Sequence, residues 1–118
     1  MKKGLCLTLL LAGIVSAAYA YSYDTALPLP GKSIADVNLQ RETLFTAYAF
    51  AHRIAAPDCT AFSIINTSVS KPKADNKWQE IWTIKACERT ATVPMNFEVK
   101  NGANIYGIDP MGVRVQGK

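Results

Sequence analysis

Two cysteines, Cys59 and Cys87, constrain this chain most, because each borders a stretch in which apolar and polar residues alternate. 'CTAFSIINTSV' (59–69) sets Phe62 and Ile64 against Ala61, Ser63 and Thr67, and 'KWQEIWTIKAC' (77–87) sets Trp82, Ile84 and Ala86 against Gln79, Thr83 and Lys85. Both read as strands of period two. The connecting 'SKPKADN' is rich in turn formers. A hairpin centred on Lys73 places Phe62 opposite Ile84, Ile64 opposite Trp82 and Cys59 opposite Cys87, a geometry a disulfide tolerates. The bridge is expected on the sheet face opposite the aromatic residues. It would close a loop of about 29 residues and stabilise the fold by roughly 3–4 kcal/mol.

Whether those thiols are oxidised depends on the compartment, and the first twenty residues bear on that. 'MKKGLCLTLLLAGIVSAAYA' has Lys2 and Lys3 in front, an apolar stretch from Leu5 to Ala18, and small residues at Ala18 and Ala20. This is the pattern of a cleavable secretory signal, with a mature chain starting at Tyr21. The alternative is an uncleaved membrane anchor, since no charge occurs between Gly4 and Tyr23. Tyrosines and serines at the end of that stretch, with no basic stop-transfer run after it, favour cleavage. Cys6 sits near the start of the apolar stretch, whereas a lipid-modified cysteine should follow it. A periplasmic or secreted location leaves one even pair of cysteines in an oxidising compartment, where disulfides persist.

Composition closes other routes. Without Lys2 and Lys3 the 13 basic residues become 11 against 9 acidic ones, and the formal charge falls from +4 to +2. No basic patch for nucleic acid remains, and 'KPK' (71–73) reads as a solvated turn. A single histidine, His52, and the lack of a C-x-x-C leave no metal site in prospect. No cofactor is expected either. The remaining 98 residues suit one domain.

Upstream of Cys59, Leu44, Ala47, Tyr48, Ala51, Ile54 and Ala55 recur at helical spacing, which predicts an amphipathic helix from about Asp36 to Ala55. Ser33, three residues before Asp36, suggests a capping box, and Pro57 ends the helix. Gln40, Arg41, Glu42 and Arg53 fall mainly off the apolar stripe. Residues 21–35, with Pro28, Pro30 and Gly31, read as an extended arm. Downstream, 'TATVPMNFEV' alternates again, and Asn101-Gly102 is a strong hairpin signal that sets Phe97 opposite Tyr106 and Met95 opposite Ile108. A turn at Glu88-Arg89 would place Trp82 opposite Met95 and Ile84 opposite Val93. Pro94 suggests an edge or a bulge, and Val113 to Val115 form a short strand or fray. The expectation is α+β: one N-terminal helix packed on a four-stranded antiparallel meander with one disulfide, spanning residues 36–118.

The stretch 'KWQEIWTIKACERTATVPMNF', with the hairpin after it (about 77–105), resembles small uncharacterised exported proteins of Gram-negative bacteria. The resemblance implies a secreted disulfide domain and assigns no activity. The chain departs from that pattern at Glu88, where glycine is expected, and in its short 'KNGAN'. A helix laid on a meander is also similar, by analogy, to cystatin-like domains, which host several functions.

Catalytic residues are not evident. His52 reads as a partly buried helix residue or cap, and Asp58 as part of the helix-to-strand turn. The assumed register places Asn66 opposite Glu80 beside Trp78 on the inner face, either at a wet rim or in a concave pocket with an aromatic wall. Trp78, Glu80 and Asn66 are therefore the candidate binding residues. The leading expectation is a non-enzymatic binding module for an unknown protein or small ligand. A small enzyme using Glu80 and His52, and an anchored envelope component that meets the membrane through an uncleaved signal, are the alternatives.

Overall fold

The computed structural model describes residues 21–117. The expected signal and its cleavage site lie outside the described residues. In chain order the elements are β1 (Ser22–Tyr23), α1 (Val37–Phe50), β2 (Ala61–Ala74), β3 (Lys77–Ala86), β4 (Arg89–Lys100), β5 (Ala103–Ile108) and β6 (Arg114–Gly117). The fold is α+β, but the sheet has six strands rather than four: β1 to β5 lie in sequence order and β6 also pairs with β4. Only β1 runs parallel to its neighbour. The helix is not the first element, because the expected arm divides into β1 and a loop that leads into α1.

Asp36 caps α1 by accepting a hydrogen bond from Leu39 N at 2.8 Å, while Ser33 Oγ turns to Ala35 N instead of the helix. The helix continues as a π-helical turn (Ala51–Ala55) before Pro57. Leu39, Leu44, Ala47, Tyr48, Ala51 and Ala55 are buried as the apolar spacing requires, but Ile54 is exposed. Gln40 is also buried, contrary to its expected position, because its amide accepts from Leu29 N and donates to Ala35 O. Tyr48 Oη links three elements, donating to Asp24 O at 2.6 Å and accepting from Ile64 N at 3.1 Å. Burial pushes its phenol up to about 12.

Cys59 and Cys87 form the disulfide, with Cα atoms 5.9 Å apart. The bridge does not lie on the outer face as expected: Cys59 is part of the core, and Cys87 is exposed. Neither cysteine sits in a strand. The β2–β3 turn is Asp75-Asn76, both with positive φ, so Lys71 and Lys73 belong to β2 and not to a turn. Phe62 consequently faces Ala86 and Ile64 faces Ile84, two residues away from the expected pairing. A shift of two keeps every side chain on its expected face. A bulge between Ile64 and Asn66 then reverses the alternation, so Thr67 turns inward and Asn66 is left exposed.

The next turn is Cys87-Glu88, with Ala86 opposite Arg89, Ile84 opposite Ala91 and Trp82 opposite Val93. Cys87 takes the positive φ (60°) that the expected Glu88-Arg89 turn would have demanded of a glutamate. Arg89 bonds Asp58 at 2.8 Å and holds that carboxyl below its ordinary 3.8. The Asn101-Gly102 hairpin forms as the sequence predicts, with Phe97 opposite Tyr106 and Met95 opposite Ile108. Pro94 stands where the edge of β4 changes partner: residues from Met95 onward pair with β5, and Arg89 to Thr92 pair with β6. A proline lacks the N–H that a continuous ladder needs, and this gap requires none. The last strand is Arg114–Gly117, while Val113 itself is buried.

Candidate functional site

Trp78, Glu80 and Trp82 alternate along β3 on the face that α1 and the 24–36 loop cover, and all three are buried. Glu80 Oε1 accepts from Trp82 Nε1 at 2.8 Å, and Oε2 accepts from Trp78 Nε1 at 2.9 Å and Ile34 N at 3.0 Å. Indole and backbone N–H groups only donate, so a carboxylate is the acceptor that suits all three. Thr67 holds the same loop in place: its Oγ1 donates to Pro30 O and accepts from Ser33 N, and its carbonyl accepts from Lys32 N. Gly31 makes this approach possible, because a Cβ there would collide with the Thr67 backbone. The inner face at Glu80 is therefore filled, where the sequence suggested a wet rim or a pocket.

Of the three candidate binding residues, the structure brings only Trp78 and Glu80 together. Asn66 is opposite Thr83 on the other face, and Val69 is opposite Glu80. His52, the other acid–base candidate, rests on Phe62 and Tyr21 and bonds Pro57 O. Phe62 and Val69 are seven residues apart on β2, which separates His52 from Glu80 by roughly 20 Å at about 3.3 Å per residue. They cannot act on one substrate atom.

The outer face of the same strands is open. A cleft of about 580 Å³ crosses it from Lys71 and Pro72 on β2, over β3 and β4, to Ile105 and Gly107 on β5. Lys77, Gln79, Asn96, Glu98, Ile105 and Gly107 alternate onto this face, while Trp78, Phe97 and Tyr106 lie in the row between and point their side chains inward. Trp78 thus contributes to the floor of the cleft, and Glu80 lies behind it. Three inter-strand spacings of about 4.8 Å give the cleft a length of roughly 14 Å. Its volume falls in the usual range for small-molecule sites.

A directed chain of hydrogen bonds runs along it. Ser70 Oγ donates to Gln79 Oε1 at 2.7 Å, and Gln79 Nε2 donates to Asn96 Oδ1 at 2.9 Å. Asn96 Nδ2 has no partner among the described residues. The next position in that row is Gly107, where an added Cβ would meet nothing within 4 Å. The glycine therefore is not required by packing, and it leaves space beside an unused donor. Gln79, Asn96 and Gly107 were missed by sequence reasoning because polar residues at outward positions resemble an ordinary solvated face. The glycine inside a strand was the available signal.

Among the described residues no cluster of acidic, histidine or cysteine side chains could hold a metal ion, and no helix is long and apolar enough to cross a membrane. No family model, curated protein or solved structure matches the chain.

Proposed function

We propose that this chain is a small exported binding domain, periplasmic or secreted, that takes its ligand in the outer-face cleft and performs no chemistry on it. The observation that carries the reading is the open cleft itself, with the amide chain ending in an unused donor beside Gly107. The separation of His52 from Glu80 removes the only acid–base pair on which an enzyme reading rested. The disulfide fits a non-reducing environment, and the N-terminal sequence supplies the export signal. Likeness to small exported proteins of Gram-negative bacteria belongs to the same reading.

Gly107→Val is the decisive variant, because valine suits a strand and a Cβ fits there without a clash. The side chain would occupy the cleft while leaving the core untouched. The mature protein incubated with a small-molecule extract of the cell envelope should carry a ligand mass in native mass spectrometry, and Gly107→Val should not. Equal ligand mass on both proteins would move the site elsewhere. Sequencing of the exported form should begin at Tyr21, and thiol titration should find Cys59 and Cys87 blocked.

A further inference from the structure

The two edges of the sheet are finished differently. Along β2 the backbone is covered: β1 pairs with Ala61 and Phe62, Asp24 N donates to Phe62 O, and Lys32 N donates to Thr67 O. Past Thr67 that strand carries Lys71, Pro72 and Lys73, residues that discourage a further strand from adding. At the opposite edge β5 has no such protection. Its sequence, 'ANIYGI', contains neither charge nor proline, its register with β4 is unbroken, and every residue in it is exposed except half-buried Ile108. The two-residue turn at Asn101-Gly102 makes Lys100 and Ala103 the first hydrogen-bonded pair, so Ala103, Ile105 and Gly107 bond to β4, while Asn104, Tyr106 and Ile108 turn their backbone N–H and C=O groups outward. Among the described residues none bonds to those outward groups.

We propose that this edge is closed by a second copy of the chain, β5 against β5 in antiparallel orientation about a twofold axis at Tyr106. In that register Tyr106 faces its own counterpart and Asn104 faces Ile108 of the second copy, so every outward N–H and C=O of β5 gains a partner. Sliding the strands either way leaves some of them hanging. The side chains match as well. On the outer face Ile105, 46% exposed, comes opposite Gly107 of the second copy, where an added Cβ would meet nothing within 4 Å. Each Ile105 thereby walls the open end of the other copy's cleft beside Gly107. On the inner face the two Tyr106 rings form an aromatic cross-strand pair, a favourable one in antiparallel sheets. At each end Asp109 comes level with Ala103 of the second copy, whose neighbour on β4 is Lys100, so opposite charges meet at both ends and β5 itself sets no like charges against each other. A twofold pair uses up both free β5 edges, and the guarded β2 edge stops growth there, so assembly ends at the dimer. The pairing rests on the edge alone and does not require a ligand in the cleft.

Two short strands make a small interface, so dissociation is expected at about 10–100 µM. Sedimentation of the mature protein from about 10 µM to about 1 mM should show monomer passing to dimer. Over the same range, hydrogen exchange at the Asn104, Tyr106 and Ile108 amides should slow by about tenfold. In a mixture of ¹³C-labelled and unlabelled protein, an isotope-filtered NOE should join Ile105 Hα of one copy to Gly107 Hα of the other, the close contact that this register alone creates. Asn104→Pro removes an outward N–H without touching the β4 ladder and should weaken dimerisation at least tenfold. Asn104→Ala keeps that N–H and should dimerise like the parent. Tyr106→Lys, which sets like charges on the axis, is the second disrupting variant should proline disturb the hairpin. Gly107→Val shuts the cleft yet gives Ile105 an acceptable cross-strand neighbour, so it should lose ligand and keep the dimer, which separates this proposal from the cleft reading. A protein that stays monomeric at about 1 mM, with the three amides exchanging freely, overturns the proposal. So does a dimer that Asn104→Pro and Tyr106→Lys both leave intact, because another surface then holds it. Protection of the three amides in a monomer on addition of envelope extract would replace the second copy with a foreign strand.

Discussion

The two faces of β3 and β4 are built from alternate residues of the same strands, yet they handle polar groups in opposite ways. On the inner face Glu80 is fully buried and both its oxygens are occupied by donors, two from indoles on its own strand and one from a loop residue far away in sequence. On the outer face the Ser70–Gln79–Asn96 chain is exposed and ends with a donor to spare. Burial explains the contrast. A polar group removed from water must be fully partnered or the fold loses stability, whereas an exposed one can keep unused capacity for a ligand at almost no cost. A closed network is therefore evidence for structure, and an open one for recognition.

Substitutions on each face test that distinction. Glu80→Ala should have the largest effect, about 4 kcal/mol in urea denaturation, because two buried indole donors and one partly buried backbone N–H lose their acceptor. A loss under about 1 kcal/mol would mean that the inner network is as dispensable as the outer one. Reducing the disulfide, whose two halves lie one in the core and one at the surface, should cost roughly 3 kcal/mol and lower the melting temperature. Tyr48→Phe should cost about 2 kcal/mol, since Ile64 N and Asp24 O lose their partner. It should also alter the alkaline limb. Because the Tyr48 phenol is raised from 10.0 to about 12 in the fold, its contribution is complete below pH 10 and is lost as pH climbs toward 12. The phenylalanine variant should show a shallower decline over that window. Asn96→Ala should have the smallest effect on stability, under about 0.5 kcal/mol, while weakening ligand binding severalfold. If it destabilises the domain as Glu80→Ala does, the outer amides are structural and the two faces do not differ.

Much of this arrangement was legible in the sequence. Period-two alternation assigned the strands and the apolar faces, the Asn101-Gly102 hairpin came out in its expected register, and the cysteine pair is bonded. The candidate site was less legible. The spacing Trp-x-Glu-x-Trp puts residues 78, 80 and 82 on one face, and that much was visible. That both indoles turn their N–H groups onto the glutamate, and that Ile34 supplies the third donor from 46 positions away, was not. Asn66 was misplaced because one extra residue after Ile64 exchanges the faces of the residues that follow it, as far as Val69, where a second shift in register restores them.

The sequence by itself determined which residues pair with the core, that two sulfurs lie within reach of each other, and how the last hairpin turns. All of these rest on local alternation, turn chemistry or composition. Only the tertiary structure decided the register of the first two hairpins, the fit of Gly31 against Thr67 that closes the inner face, and the opening of the outer one. Those depend on positive-φ turns at Asp75-Asn76 and Cys87, on bulges, and on contacts between segments dozens of residues apart. Such features are selected by the packing of the whole chain, and no short window of sequence encodes them.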